Sequence, residues 1–353
     1  MLDLIKVWYE KHFSDPQVVI LALVILSGIA IILFLGDVLA PVLASIVIAY
    51  VLEGLVKKIC RLGVHRAIAV ITSFSIFIMT IVLLLFGLVP LVSKQLSQLI
   101  ANLPDMLNKA QQLVMTLPEK YPMLGAGNLN EMIASFNSEL VNLGQKLISV
   151  SLASVIDVFT LMVFLVVVPL LVFFLLKDKQ KIMEWMQRFL PEGEGLAYKV
   201  WRDVDVKMGN YIRGKLLEIL IVGVATYIPL AVMGLNYAAT LSLFVGLSVI
   251  IPYVGAVAVT IPVALVAWFQ WGASSEFMTL MIAYLVVQFL DGNILVPLLF
   301  SEVVDMHPAA IIISVLVFGG LWGVWGVFFA IPLATLIQSV LNSWPSMQSQ
   351  EVL

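Results

Sequence analysis

Residues 238–271 read AATLSLFVGLSVIIPYVGAVAVTIPVALVAWFQW, without one charged side chain. A bilayer's hydrocarbon core takes roughly 20 helical residues, so this run is too long for a single upright helix. Pro252, Gly255 and Pro262 break it near the middle, because proline removes a backbone donor and crowds the preceding turn. The run therefore reads as two half-length helices meeting at a Pro252-Tyr253-Val254-Gly255 bend inside a membrane. Irregular backbone at that depth persists only where protein covers it or a wet cavity receives it. The bend is thus a candidate binding site, with Pro252, Tyr253 and Gly255 as its residues.

The rest of the chain belongs to the same class. Of 353 residues 62% are hydrophobic and 12% charged, against about 25% charged in soluble domains. The expected fold is an all-α polytopic membrane protein of about eight transmembrane segments, two of them long and Pro/Gly-interrupted, plus an external amphipathic helical arm. A net charge of −3 argues against nucleic acid as a partner. The single cysteine, Cys60, permits no internal disulfide, and beside Lys57, Lys58 and Arg61 it reads as a reduced cytoplasmic thiol. No cleavable signal peptide is evident at the N-terminus. Three scattered histidines and one cysteine offer no metal-ligand spacing, so neither metal nor cofactor is expected. There is no G-x-x-x-x-G-K-[ST], H-E-x-x-H or G-x-S-x-G sequence, which speaks against ATP-driven transport and against an enzyme.

Taken in order, residues 1–92 hold an amphipathic lead-in and three spans. Val18–Leu35 and Val38–Leu52 are expected to be joined by a tight turn at Gly36-Asp37, and Ala67–Val92 follows. The loop from Glu53 to Arg66 carries Lys57, Lys58, Arg61 and Arg66, so it is expected in the cytoplasm, and the N-terminus with it. Residues 93–149 form the extracytoplasmic arm. Leu96, Leu99, Ile100, Leu103 and Leu107 fall at helical spacing, and Pro104, Pro118, Pro122 and Gly125–Gly127 are expected to divide the arm into short helices. Its amphipathic stripe suggests packing on the membrane surface or on a neighbouring copy, hence a homo-oligomer. Residues 150–176 make the fourth span.

Residues 177–215 are a basic cytoplasmic loop holding nearly half of the 19 Lys and Arg residues. Gly193 and Gly195 are expected to separate two short helices there. Its acids nearly balance its bases, which favours anionic headgroups over DNA. Residues 216–340 form the C-terminal membrane core and 341–353 a cytoplasmic tail. No Lys or Arg follows Lys215, so charge asymmetry cannot orient this part. The chain crosses eight times if each long run crosses once and ten times if each folds as a hairpin. Either count returns the C-terminus to the cytoplasm.

The second long run, Pro308–Val340, parallels the first. Both place a Gly/Pro break before an Ile-Pro-x-Ala sequence: Gly255 before Ile261-Pro262-Val263-Ala264, and Gly319, Gly320, Gly323 and Gly326 before Ile331-Pro332-Leu333-Ala334. Paired interrupted segments point to a transporter's binding site, which adds Gly320 and Gly323 to the candidates. Between the runs lie Gln288, Asp291 and Asn293, the polar centre of an apolar span. A charge at bilayer depth costs at least about 2.5–3.5 kcal/mol, so Asp291 needs water, a partner or a proton. It reads as a substrate or cation ligand, or else as part of a helix-packing hydrogen-bond knot. Glu218 and Lys215, three residues apart, read as an interfacial ion pair. Asp157 is a weaker candidate, and His307 reads as a cap for the helix that Pro308 begins.

Several blocks in this order resemble the autoinducer-2 exporter family of permeases. They are LAPVLASIVIAYVLEGLV at 39–56, YIRGKLLEILIVG at 211–223, MGLNYAATLSLFVGLSVIIPYVGAVAVTIP at 233–262 and QFLDGNILVPLLFSEVVDMHPAAIIISVLVFGGLWGVWGVFFAIPLA at 288–334. Gly54 and Ala256 stand where a proline is common in that family. The resemblance implies a bacterial inner-membrane protein that moves a small polar solute, an autoinducer-2-like metabolite, as a permease or secondary transporter. Other relatives are described as sodium/proton exchangers, so a Na⁺/H⁺-type cation exchanger is one alternative; without ATP machinery, coupling would come from an H⁺ or Na⁺ gradient, or transport is facilitated diffusion. A non-transporting oligomeric membrane scaffold is the alternative from outside transport.

Overall fold

A computed structural model describes residues 16–120, 154–187, 196–252, 254–300 and 306–343. Among these every regular element is helical: α1 (Pro16–Arg61), α2 (Arg66–Leu83), a π-turn (Leu84–Leu88), α3 (Val89–Lys120), α4 (Ser154–Lys177), α5 (Lys179–Gln187), α6 (Leu196–Val232), α7 (Ala238–Ser248), α8 (Val254–Trp271), α9 (Ser275–Leu290), a second π-turn (Asp291–Leu295), α10 (Val296–Phe300) and α11 (Pro308–Ser343). Five helical stretches are long and apolar enough to cross a membrane, and four shorter apolar helices accompany them. The fold class expected from composition is the one observed.

Several local expectations are corrected. There is no turn at Gly36-Asp37, since α1 runs unbroken from Pro16 to Arg61. A glycine inside a helix costs about 1 kcal/mol, and the leucine, isoleucine and alanine residues around Gly36 offset that easily. Without a reversal there, the cytoplasmic N-terminus that the hairpin implied has no support in α1. The arm is likewise not cut by Pro104 or Pro118, because α3 continues through both to Lys120. The basic segment does not end at Lys215 either; α6 carries it straight into the apolar core. Pro122, Gly125–Gly127, Gly193, Gly195, Glu302 and Asp305 lie outside the described residues.

Both π-turns end two residues before a proline, in the same tetrapeptide, Leu-Val-Pro-Leu, at 88–91 and 295–298. Proline cannot donate to the carbonyl four residues back and its ring crowds it. One wider turn relieves the crowding: the Val89 N–H bonds the Leu84 carbonyl and the Val296 N–H bonds that of Asp291, each five residues back. The helix therefore continues where a proline would otherwise kink or end it.

Three apolar clusters hold the bundle. One joins α1, α2 and α4 through Val56, Ala69, Val70, Val172 and Leu176. A second joins α6 to α7, α8 and α9 through Val222, Leu241, Val245, Val263 and Tyr284. The third joins α6 to α1, Phe300 and α11 through Tyr211, Val47, Ile311 and Phe329. Helix α6 belongs to two of the three and forms the spine. It meets α7 closely because both are glycine at the crossing: a Cβ on Gly246 would lie 2.8 Å from the Ile219 carbonyl oxygen and 3.0 Å from the Gly223 Cα.

Glu53 ties the basic end together. Its carboxylate accepts from both Arg66 terminal nitrogens at 3.2 Å and from Lys179 at 3.1 Å, while Arg66 also reaches the Leu176 carbonyl. Four helices, α1, α2, α4 and α5, converge there. The acid is buried and its cationic partners are half-exposed. Glu53→Ala should therefore destabilise by about 1–3 kcal/mol, between a surface pair and a fully buried one. A thermal melt in detergent checks this, and an unchanged midpoint would make the cluster ornamental.

Candidate functional site

The run at 238–271 proves to be a hairpin. Gln270, near the end of α8, donates to the Gly234 carbonyl at 2.9 Å and accepts from the Asn236 N–H at 2.8 Å, so both ends of the run meet on one side. Its tip lies between Ser248, where α7 ends, and Val254, where α8 begins. Helix α7 spans Ala238–Ser248, about 16 Å at 1.5 Å per residue, about half the thickness of a hydrocarbon core of about 30 Å. The glycine at the tip has a steric reason: a Cβ on Gly255 would sit 1.8 Å from the Ser248 carbonyl oxygen. At the open end α3 seals the hairpin. Gln95 accepts from the Thr240 N–H at 3.0 Å, Asn102 donates to the Tyr237 hydroxyl at 2.6 Å, and Leu99 and Met106 join the apolar cluster. The described half of the arm is thus seated on its own chain.

The second long run folds back at Trp322-Gly323, where the backbone leaves helical angles and Gly323 takes φ +58°, a conformation that costs glycine little. Here too a glycine lets the halves touch: a Cβ on Gly326 would lie 1.8 Å from the Phe318 carbonyl oxygen. The pairing of the two interrupted runs therefore extends to their backbone geometry.

What grips the tip of the first hairpin is Lys215, on α6. Its ammonium donates to the Val249 carbonyl at 2.9 Å, pairs with Glu218 at 2.6 Å and lies 5.1 Å from the centre of the Phe300 ring. Both side chains of the pair are nearly fully enclosed, at 5% and 3% exposure. The expected Lys215–Glu218 pair exists, but it is buried in protein, not set at an interface. Asp291 stands at the first position of the second π-turn, within electrostatic reach of both Lys215 and Glu218. One of its carboxyl oxygens is buried without a hydrogen-bond partner, and so is the side-chain nitrogen of Gln288 one turn earlier. The indole nitrogen of Trp322, at the second fold-back, is also buried and unpartnered. Trp322 packs in the same apolar cluster as Tyr211 and Phe300, and the rings of those two lie 5.6 Å apart. The shell over Lys215 is thereby continuous with the second fold-back.

The predicted residues separate into two groups. Gln288 and Asp291 lie on the stretch packed against α6, Lys215 of α6 holds the first hairpin at Val249, and Trp322 at the second fold-back packs with Tyr211 of α6. Asn293 does not join them: it is exposed, and its amide donates to the Phe289 carbonyl of its own helix at 2.9 Å. Gly292, Gly320 and Gly323 each face open space, with no atom within 4 Å of where a Cβ would stand. Tyr253 and the side chain of Asp157 lie outside the described residues. His307 caps α11, its ring accepting from the Ala309 N–H at 3.2 Å. Lys215 was not among the predicted site residues. Its signal was its position as the last cation before a long stretch without Lys or Arg.

A buried pair that loses one partner leaves an uncompensated charge, at a cost of roughly 3–5 kcal/mol, whereas replacing both by apolar residues is often neutral. Lys215→Met should therefore lower thermal stability far more than the double change Lys215→Met with Glu218→Met. Equal melting points for the two variants would show that the pair is not electrostatically closed.

The sequence profile described as AI-2E family transporter matches residues 20–346. The chain is 45% identical over 349 residues, 99% of each sequence, to the Escherichia coli (strain K12) protein named "Putative permease PerM". It is 26% identical to the Bacillus subtilis (strain 168) protein "Putative transport protein YueF", over 94% of this chain and 92% of that one. It is also 25% identical to the E. coli (strain K12) "AI-2 transport protein TqsA", over 94% and 95%. With its long apolar helices and these relatives, the chain is a multi-pass inner-membrane protein that belongs to the AI-2E transporter family.

Proposed function

We propose that the protein is a secondary transporter that exports or exchanges a small polar solute, an autoinducer-2-like metabolite, at a site between the two interrupted runs. The observation that carries this is the pair of buried, unpartnered polar groups on Asp291 and Gln288 beside the Lys215–Glu218 pair. A buried polar group without a partner costs roughly 1–3 kcal/mol, so a static scaffold gains nothing from two of them in one place. A solute bearing both hydroxyl and carbonyl groups satisfies both: Asp291 accepts from it and Gln288 donates to it. Gly292, Gly320 and Gly323 are exposed and uncrowded, which leaves the solute an approach, and the first hairpin's tip supplies the movable wall. The name of TqsA supports this solute class.

Purified protein in liposomes, given a panel of small polar metabolites under imposed H⁺ or Na⁺ gradients, tests the proposal. Flux of at least one hydroxylated solute is expected. Cation exchange without solute would make it a Na⁺/H⁺ exchanger, and no flux of any kind from folded protein would leave the scaffold. In the working orientation the Glu53–Arg66–Lys179 end faces the cytoplasm, as the positive-inside rule requires, and a homo-oligomer is the working form. Cysteines at 180–187 should label only after permeabilisation, and a single-chain mass in native micelles would overturn the oligomer.

A further inference from the structure

We propose that Lys215, Glu218 and Asp291 form a one-proton site, in which Lys215 is a tethered cation holding the first hairpin's tip and the remaining carboxylate takes the proton. This deepens the transporter reading by naming the coupling cation.

The charge count comes first. Helices α7, α8, α10 and α11 carry no Asp, Glu, Lys or Arg, and the acid of α9, Glu276, is at its far end, exposed and bonded to Ser275. On α6, Arg213 turns to Asn210 and Gly54, and Asp205 accepts from Tyr50. Among the described residues the charged groups within reach of Asp291 are Lys215 and Glu218, so the cluster holds two acids and one ammonium. Lys215 and Glu218 are enclosed and Asp291 is half-buried with one oxygen shut off, so the cluster is one positive charge short where an uncompensated charge is disfavoured.

The missing charge is a proton because the site is poor in oxygen. An alkali cation sheds its water only where several oxygens replace it. Here the Val249 carbonyl is already taken by Lys215, the buried polar group one turn before Asp291 is the donor nitrogen of Gln288, and the described residues hold no group of three or more acids, histidines or cysteines placed to hold a metal ion. A proton needs one oxygen, and Asp291 has one buried and unpartnered.

Lys215 also links the proton to motion. Val249 ends α7, where the free carbonyls and the helix dipole favour a cation. With the proton on Asp291, Lys215 stays on Glu218 and Val249. When the proton leaves, the freed carboxylate competes for the ammonium, and the grip on the tip loosens. No covalent bond changes beyond the O–H of the carboxyl group.

Infrared spectroscopy of solute-free protein in lipid at neutral pH counts protonated carboxyls directly. The number should equal acids minus ammoniums: one in the wild type, none in Asp291→Asn or Glu218→Gln, and two in Lys215→Met. Should Lys215→Met fail to fold, the double variant with Glu218→Met is expected to keep one. A band unchanged in both Asp291→Asn and Lys215→Met would overturn the proposal. So would a wild-type band that disappears on adding Na⁺ at constant pH. Because no transport is measured, a missing band with intact solute flux rejects the proton site alone, and the expected bands without flux reject the transporter reading alone.

Discussion

Asp291→Asn should fold normally and lose ion-driven solute flux down to the background of empty liposomes. The substitution keeps size and shape and removes only the ability to carry a charge, so the packing of α9, the π-turn and α6 is undisturbed. Asp291 sits where the helix widens ahead of Pro297, and π-turns of this kind are frequent at functional sites. Its buried oxygen has no partner within the protein, so no structural hydrogen bond is lost there. If Asp291 were a packing knot, the variant would melt at a lower temperature and still transport. If it carries the coupling charge, the melting point holds and gradient-driven flux disappears. Gln288→Ala provides the graded counterpart. Losing one hydrogen bond of about 1.4 kcal/mol weakens solute affinity roughly tenfold, with coupling retained. Normal flux by Asp291→Asn under forward and reversed proton gradients would place the site elsewhere.

Gly255→Val and Gly326→Val should prevent assembly of the two fold-backs. At each position even a Cβ would be 1.8 Å from a backbone carbonyl oxygen, and a backbone cannot step aside as a flexible side chain can. Ordinary overpacking costs about 1–3 kcal/mol; these positions should lie at or above the upper end. The expected result is little folded protein in membranes, and a melting point far below wild type in what remains. Gly292→Ala and Gly320→Ala are the contrast. Both face open space, and alanine is favoured over glycine in helical backbone by roughly 0.5–1 kcal/mol, so stability should hold or rise. If Gly320→Ala is stable yet slows flux, the empty space beside it belongs to the solute. Wild-type stability in Gly255→Val would mean that the hairpin tip is looser than its geometry implies.

The π-turn at Asp291 shows how far pattern alone extends. Asp291 was legible as a charge in an apolar span, because its isolation among hydrophobic residues needs no coordinates to notice. Asn293, two residues on, looked equivalent. The wider turn and the helical repeat place it on the outside, bonded to its own backbone. Proline was legible as a disturbance, but not the kind it causes. Pro252 lies in a fold-back, Pro104 passes inside a continuous helix, and Pro90 and Pro297 follow π-turns. The outcome depends on whether neighbouring helices reward continuation or reversal, and no local rule contains that information.

By itself the sequence determined the membrane class, the helical content, the interruption of both long C-terminal runs and the polarity of Asp291 and Gln288. These follow from composition and spacing, which act within one or two helical turns. Only the tertiary structure decided that the first run is a hairpin whose ends meet at Gln270, that Lys215 reaches 34 positions along the chain to Val249, and that its pair with Glu218 is enclosed by Phe300 and α7. An ammonium beside an acid looks the same in sequence whether water or protein surrounds it. Burial is a property of what packs against α6, and that is settled by contacts between segments far apart in the chain.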